Sequence, residues 1–176
     1  MVIKSDILLK GFAWDTLIRD LKPIFNTRTN YSLYILCLAI GIMYDQRLAK
    51  MEGEEEVEKH SVPRNIISNN DNGKFDFYFQ AAILSTATED ISEDQRLEYA
   101  FGEEDFLVGK FELRKIEFLT EFANFGATIL VEKIGDTNIV SMDQILRFLA
   151  ATVEGNNLDI NALPDDLIYD DIEEFR

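Results

Sequence analysis

The sequence predicts an all-α fold, a single compact domain around one buried central helix, and three observations carry that prediction. The stretch from Tyr31 to Tyr44, YSLYILCLAIGIMY, has Ser32 as its only polar side chain beyond the tyrosine hydroxyls and one thiol. A helix that is apolar all round offers no face to water and belongs in an interior. At 14 residues it is shorter than the ~18–20 apolar residues of a bilayer crossing, so the interior is that of a globular core. Amphipathic helical patterns before and after it supply a coat. The total length, 176 residues, suits one domain that buries roughly 70% of its unfolded surface without disulfides or a metal.

Taken in order, residues 5–22 hold Ile7, Leu8, Phe12, Leu17, Ile18 and Leu21, a series that settles to helical spacing from Phe12 and stops before Pro23. Arg19 and Lys22 lie three apart and share a helix face. The breakers of PIFNTRTN lead to Asn30, a residue type that caps helices. After Tyr44 the polarity changes through DQRLAKMEGEEEVEKHSVPRN, whose acidic run 52–58 reads as a solvated helix end or a loop. His60 is the only histidine and Cys37 the only cysteine, so a transition-metal set has no second imidazole or thiol to draw on.

SNNDNG at 68–73 is turn chemistry. It fails as a calcium loop, because placing Gly73 sixth puts Ser68 first and Phe79 twelfth, where Asp and Glu are needed. Residues 74–88 begin with alternating Phe75, Phe77 and Phe79, but good helix formers from Gln80 to Leu84 favour a helix over a strand. Ser92 with Gln95 forms a capping box that opens EDQRLEYAF, closed by Gly102. Residues 110–134 form the longest amphipathic pattern, with Ile116, Leu119, Ala123, Ala127, Leu130 and Ile134 on one stripe and Phe118, Phe122, Phe125 and Ile129 on another. Gly126 in its middle costs about 1 kcal/mol against alanine and predicts a close helix crossing. A short β-hairpin, TILVEK and NIVSM around IGDT, is the competing reading there. Ser141 and Gln144 cap a last packed helix, ILRFLAATVEG. The helical domain therefore spans 1–155, and 156–176 is an acidic C-terminal segment.

The net charge is −16, and its distribution is informative. Residues 1–50 carry seven Lys/Arg against four Asp/Glu, whereas 51–176 carry ten against twenty-nine. Such a field repels phosphate backbones and anionic membranes over most of the molecule, which confines any nucleic-acid contact to residues 1–50, with Arg19 and Lys22 as candidates. In the C-terminal segment Leu167, Ile168, Ile172 and Phe175 stand among seven acids, and the 168, 172, 175 spacing is one helical stripe. It serves either as a helix lying back on the domain or as a partner-binding segment.

A phosphate loop, nucleophile elbow, CxxC and HExxH are all missing from the sequence. The chain reads as a non-enzyme with no catalytic, cofactor-binding or metal-binding residues and no cofactor. Glu117 and Glu121, one turn apart, keep a carboxylate enzyme with a divalent metal ion as an alternative. The lone thiol in an apolar helix and an N-terminus without a signal-peptide pattern point to the cytoplasm.

The order of elements in residues 5–50 resembles the start of DndE-type proteins, small helical subunits of DNA phosphorothioation systems. The carriers are Leu17-Ile18-Arg19-Asp20-Leu21-Lys22, the turn Thr27-Arg28-Thr29, and Asn30-Tyr31-Ser32-Leu33 opening an apolar helix. Phe118 to Leu130, with Asn124 and Gly126, is similar to the family's closing helix. The resemblance covers about two thirds of the chain, interrupted by acidic insertions at 52–60 and 89–105. It implies a DNA-modification or antiviral defence complex, DNA contact through lysines at an exposed surface, where Arg19 and Lys22 fall, and an SMC-like ATPase partner. The expected function is thus a non-catalytic acidic adaptor that binds a larger ATPase or nuclease. An acidic DNA-mimic inhibitor of a DNA-binding enzyme is the alternative from another class, and self-association stays open.

Overall fold

The computed structural model describes residues 5–25, 30–70, 72–88, 91–101, 106–108, 111–113, 115–137, 145–147 and 150. Among them the chain runs β1 (Ile7–Leu9), α1 (Phe12–Asp20), α2 (Lys22–Phe25), α3 (Asn30–Tyr44), β2 (His60–Val62), α4 (Arg64–Asn70), α5 (Lys74–Ser85), α6 (Glu93–Phe101), β3 (Phe106–Val108), β4 (Phe111–Leu113) and α7 (Lys115–Thr137). The fold is mainly helical, as the sequence indicates, with two small antiparallel strand pairs, β1 with β2 and β3 with β4.

The apolar stretch forms α3, and its centre is buried at Leu33, Tyr34, Cys37, Leu38, Ile40 and Gly41. It is not sheathed all the way round, because Ala39 and Met43 are exposed. Its main neighbour is α7, and the two backbones touch. A Cβ on Gly126 would overlap the carbonyl oxygen of Cys37, and one on Gly41 would overlap that of Phe122. Only hydrogen at both positions lets the helices approach this far. The close crossing predicted at Gly126 is therefore present, with Gly41 as its reciprocal half.

α7 buries Phe118, Leu119, Phe122, Ala123, Ala127 and Leu130, so it packs on both predicted stripes. Its Asn124 is a buried polar hub: Trp14 Nε1–H donates to Asn124 Oδ1 at 2.9 Å, and Asn124 Nδ2 donates to the Leu48 carbonyl at 3.0 Å. The Leu48 amide in turn donates to the Glu121 carbonyl at 2.9 Å. These bonds lash α1 and the segment after α3 to α7. The Thr120 hydroxyl donates to the Ile116 carbonyl at 2.7 Å, so the proton between Tyr34 and Thr120 comes from Tyr34. Burial pushes the Tyr34 phenol and the Cys37 thiol well above their ordinary pKa values, which keeps both neutral.

Three differences from the sequence reading have local causes. Residues 111–113 are a strand paired with 106–108, so the long helix starts at Lys115 rather than 110. The alternation Phe111, Leu113 about a polar Glu112 fits a period of two as well as a helix, and the pairing decides. The hairpin proposed around IGDT does not form on its first arm, because helix α7 continues to Thr137. Finally, α1 ends at Asp20 and Pro23 lies in the first turn of the separate α2, a place proline tolerates. The capping box at α6 is present in both directions: the Ser92 amide donates to Gln95 Oε1 at 2.9 Å and the Gln95 amide to Ser92 Oγ at 3.3 Å. Of the last predicted helix, 145–147 and 150 are helical with Ile145 buried, while its Ser141–Gln144 cap and the segment 156–176 lie outside the described residues.

Candidate functional site

Two surfaces stand out, a groove beside α1 and an apolar face on the α5 and α6 pair. The groove, about 430 Å³, has Leu17, Leu21, Phe25 and Leu33 among its lining residues. Its polar lining residues are Asp15, Arg19, Lys22, Asn30 and His60. They arrive there because β2 pairs with β1, setting His60 opposite Leu9, while the Asn30 amide donates to the Ser61 carbonyl at 3.0 Å. His60 Nε2 stands 3.3 Å from Asp15 Oδ1. A carboxylate orienting an imidazole is part of a nucleophilic triad, yet the described lining contains no Ser, Thr or Cys. The pair acts as a clasp between α1 and β2.

The two candidate DNA-contacting residues both line this groove, with unequal freedom. Arg19 Nε donates to Asp20 Oδ1 at 2.8 Å, and its Nη1 is 3.9 Å from Asp15. The Asp20 hydrogen bond is the largest of the influences that raise the Arg19 pKa. A phosphate at Arg19 would compete with the carboxylates of Asp20 and Asp15 for its guanidinium. Lys22 is exposed on α2. The partner-binding candidates Leu167, Ile168, Ile172 and Phe175 lie outside the described residues.

The carboxylates singled out for metal chemistry are separated by their environments. Glu117 is exposed, whereas Glu121 Oε2 accepts a 3.0 Å ion-pair hydrogen bond from Arg47, whose guanidinium lies 4.8 Å from the Phe118 ring centroid. Burial raises the Glu121 pKa, Arg47 opposes that shift, and Glu117 adds to it. Among the described residues no group of three or more His, Cys, Asp or Glu side chains is placed to hold a metal ion. No helix among them is long and apolar enough to cross a membrane.

The second surface was not singled out from the sequence. On α5 the buried residues are Phe75, Phe79, Ala82 and Ile83, and on the opposite side Phe77 and Leu84 are 64% and 40% exposed. Seven residues apart, those two share one helix face. On α6, Tyr99 and Ala100 are buried, while Leu97 and Phe101, four apart, are 47% and 65% exposed. The two helices pack against each other, and Arg96 Nη1 joins them by donating to the carbonyls of Ile83 and Thr86. Leu84 and Leu97 follow directly on Ile83 and Arg96 in the chain. The signal was present in EDQRLEYAF, where Leu97 and Phe101 repeat at one helical turn. In α5 it was hidden by an aromatic alternation that resembles a strand.

Comparison with family models, with curated proteins and with solved structures gives no match.

Proposed function

We propose that this chain is a non-catalytic helical adaptor that acts by holding a larger protein partner, with the α5 and α6 face as its contact. The single observation that carries this reading is the exposure of two phenylalanines, Phe77 and Phe101, on two helices joined by Arg96. A phenyl ring left in water forgoes the roughly 2–3 kcal/mol that burying it would contribute, and a partner surface recovers it. The sequence resemblance to DndE-type subunits supports a partner of the SMC-like ATPase or nuclease class in a DNA-modification complex. Arg19 already pairs with Asp20 and stands near Asp15, a competition that weakens it as a phosphate ligand.

The test is to install a photo-crosslinking amino acid at position 77 or 101 in the native host and identify the adduct. One large protein crosslinked at both sites, and no longer crosslinked from position 101 when Phe77 is changed to Ser, is the expected result. A chain that stays free of adducts at both positions while monomeric overturns it. Salt-sensitive competition with DNA for a nuclease, unaffected by the double variant Phe77→Ser, Phe101→Ser, would favour the DNA-mimic reading instead.

A further inference from the structure

Resting on that reading, we infer that the occupant of the α5 and α6 face is a basic amphipathic helix of the partner protein. The apolar residues are arranged as two short rows, Phe77 with Leu84 along α5 and Leu97 with Phe101 along α6. On a helix of 1.5 Å rise the first pair spans about 10.5 Å and the second about 6 Å, one to two turns of a third helix laid across them. An amphipathic helix offers apolar side chains at i, i+3 or i+4 and i+7, spacings that match the length of each row.

Charge decides which helix. The same two helices carry Asp76, Glu93, Asp94 and Glu98. Their cations are Lys74 and Arg96, and the guanidinium of Arg96 is directed to the backbone carbonyls of Ile83 and Thr86. Carboxylates on the same two helices as the exposed apolar residues repel an acidic visitor and attract lysine and arginine. A second copy would bring the same carboxylates and a net charge of −16. The chain's own segment 156–176, with seven acids and one arginine, is excluded by the same argument. A helix with one apolar face flanked by Lys or Arg complements both features.

The full chain is titrated, by fluorescence anisotropy, into a labelled 18-residue Leu/Lys helix with one apolar face. A scrambled peptide of the same composition and a Leu/Glu version of the same pattern are titrated in parallel. Tighter binding of the patterned Leu/Lys helix, by about tenfold over either control, is expected, with a loss of about tenfold or more in Phe77→Ser and in Phe101→Ser. Leu8→Ser, which alters an exposed leucine on β1, leaves binding unchanged. Equal binding of the scrambled peptide, or insensitivity to both phenylalanine variants, overturns the inference, because attraction would then be bulk charge alone. Sedimentation showing a dimer that the same variants dissolve overturns it in favour of a second copy. If a native partner crosslinks at 77 and 101 through a segment that is not basic, this inference falls while the adaptor reading stands; if no partner crosslinks there, the adaptor reading falls.

Discussion

The α3–α7 crossing and the α5–α6 pair use similar residues to opposite ends. Both are rich in aromatic and aliphatic side chains, yet the first brings two backbones into contact through Gly41 and Gly126 and buries Tyr34, Phe118 and Phe122. In the second, Phe75 and Phe79 point into the core while Phe77 and Phe101 stand in solvent. Hydrophobicity summed over a helix therefore does not separate a stabilising element from a recognising one. The distinction lies in whether a second surface, complementary at van der Waals distance, is present in the same chain. The crossing has one, and the pair presents its apolar rows outward.

Substitutions should separate the two regions cleanly. Gly126→Ala is expected to be the most damaging, since its Cβ meets backbone rather than a flexible side chain; a loss of about 3 kcal/mol or more in urea unfolding, or failure to fold, would bear this out. A variant as stable as the parent would show that the crossing can part without cost. Next comes Asn124→Leu, which leaves the Trp14 indole N–H and the Leu48 carbonyl without their partner and should cost about 2–3 kcal/mol. The change should be accompanied by altered Trp14 fluorescence, because Trp14 is the only tryptophan.

A smaller and pH-dependent effect is expected at Glu121. Its folded pKa is raised, so the folded state binds the proton more tightly than the unfolded state. The stability this group contributes is present in full below the ordinary glutamate pKa, about 4.3, and is lost as pH rises through the raised value. Against Glu121→Gln, the parent should therefore lose relative stability as pH rises from the ordinary glutamate pKa through the raised one. A gap that is flat with pH, or that widens in the parent's favour, would contradict the assignment. Smallest of all, Phe77→Ser should alter stability by no more than about 0.5 kcal/mol while abolishing crosslinking to the partner from position 101. If it unfolds the chain instead, the α5 face belongs to the core and the contrast between the regions fails.

Some of this was legible in the residues themselves. The helix of Tyr31–Tyr44 is visible because its apolar run has no polar side to explain, and the structure extends it by one residue to Asn30. Gly126 is visible as a helix residue that weakens its own helix and so must serve a neighbour. The α6 capping box is visible because its two hydrogen bonds join residues three apart. The pairing of Ile7 with Val62 is of another kind: its partners lie more than fifty positions apart, in strands of three residues each. Strands that short carry too few alternations to be read from pattern. Asn124 likewise looks like any polar residue in a helix until Trp14 and Leu48 are brought to it.

By itself, the sequence determined the fold class, the central helix, the close crossing at Gly126 and the acidic character of the surface. These follow from properties that act within a helical turn, or over the whole chain at once: side-chain polarity, backbone propensity and charge. Tertiary structure alone decided that His60 faces Asp15, that Arg19 and Lys22 share one groove, and that Phe77 and Phe101 are the most exposed of the large apolar side chains among the described residues. Periodicity assigns a residue to a face of its helix, but which faces find cover depends on how many neighbours reach that helix. That count is a property of the assembled chain, and here α5 and α6 each have one more apolar face than the described core covers.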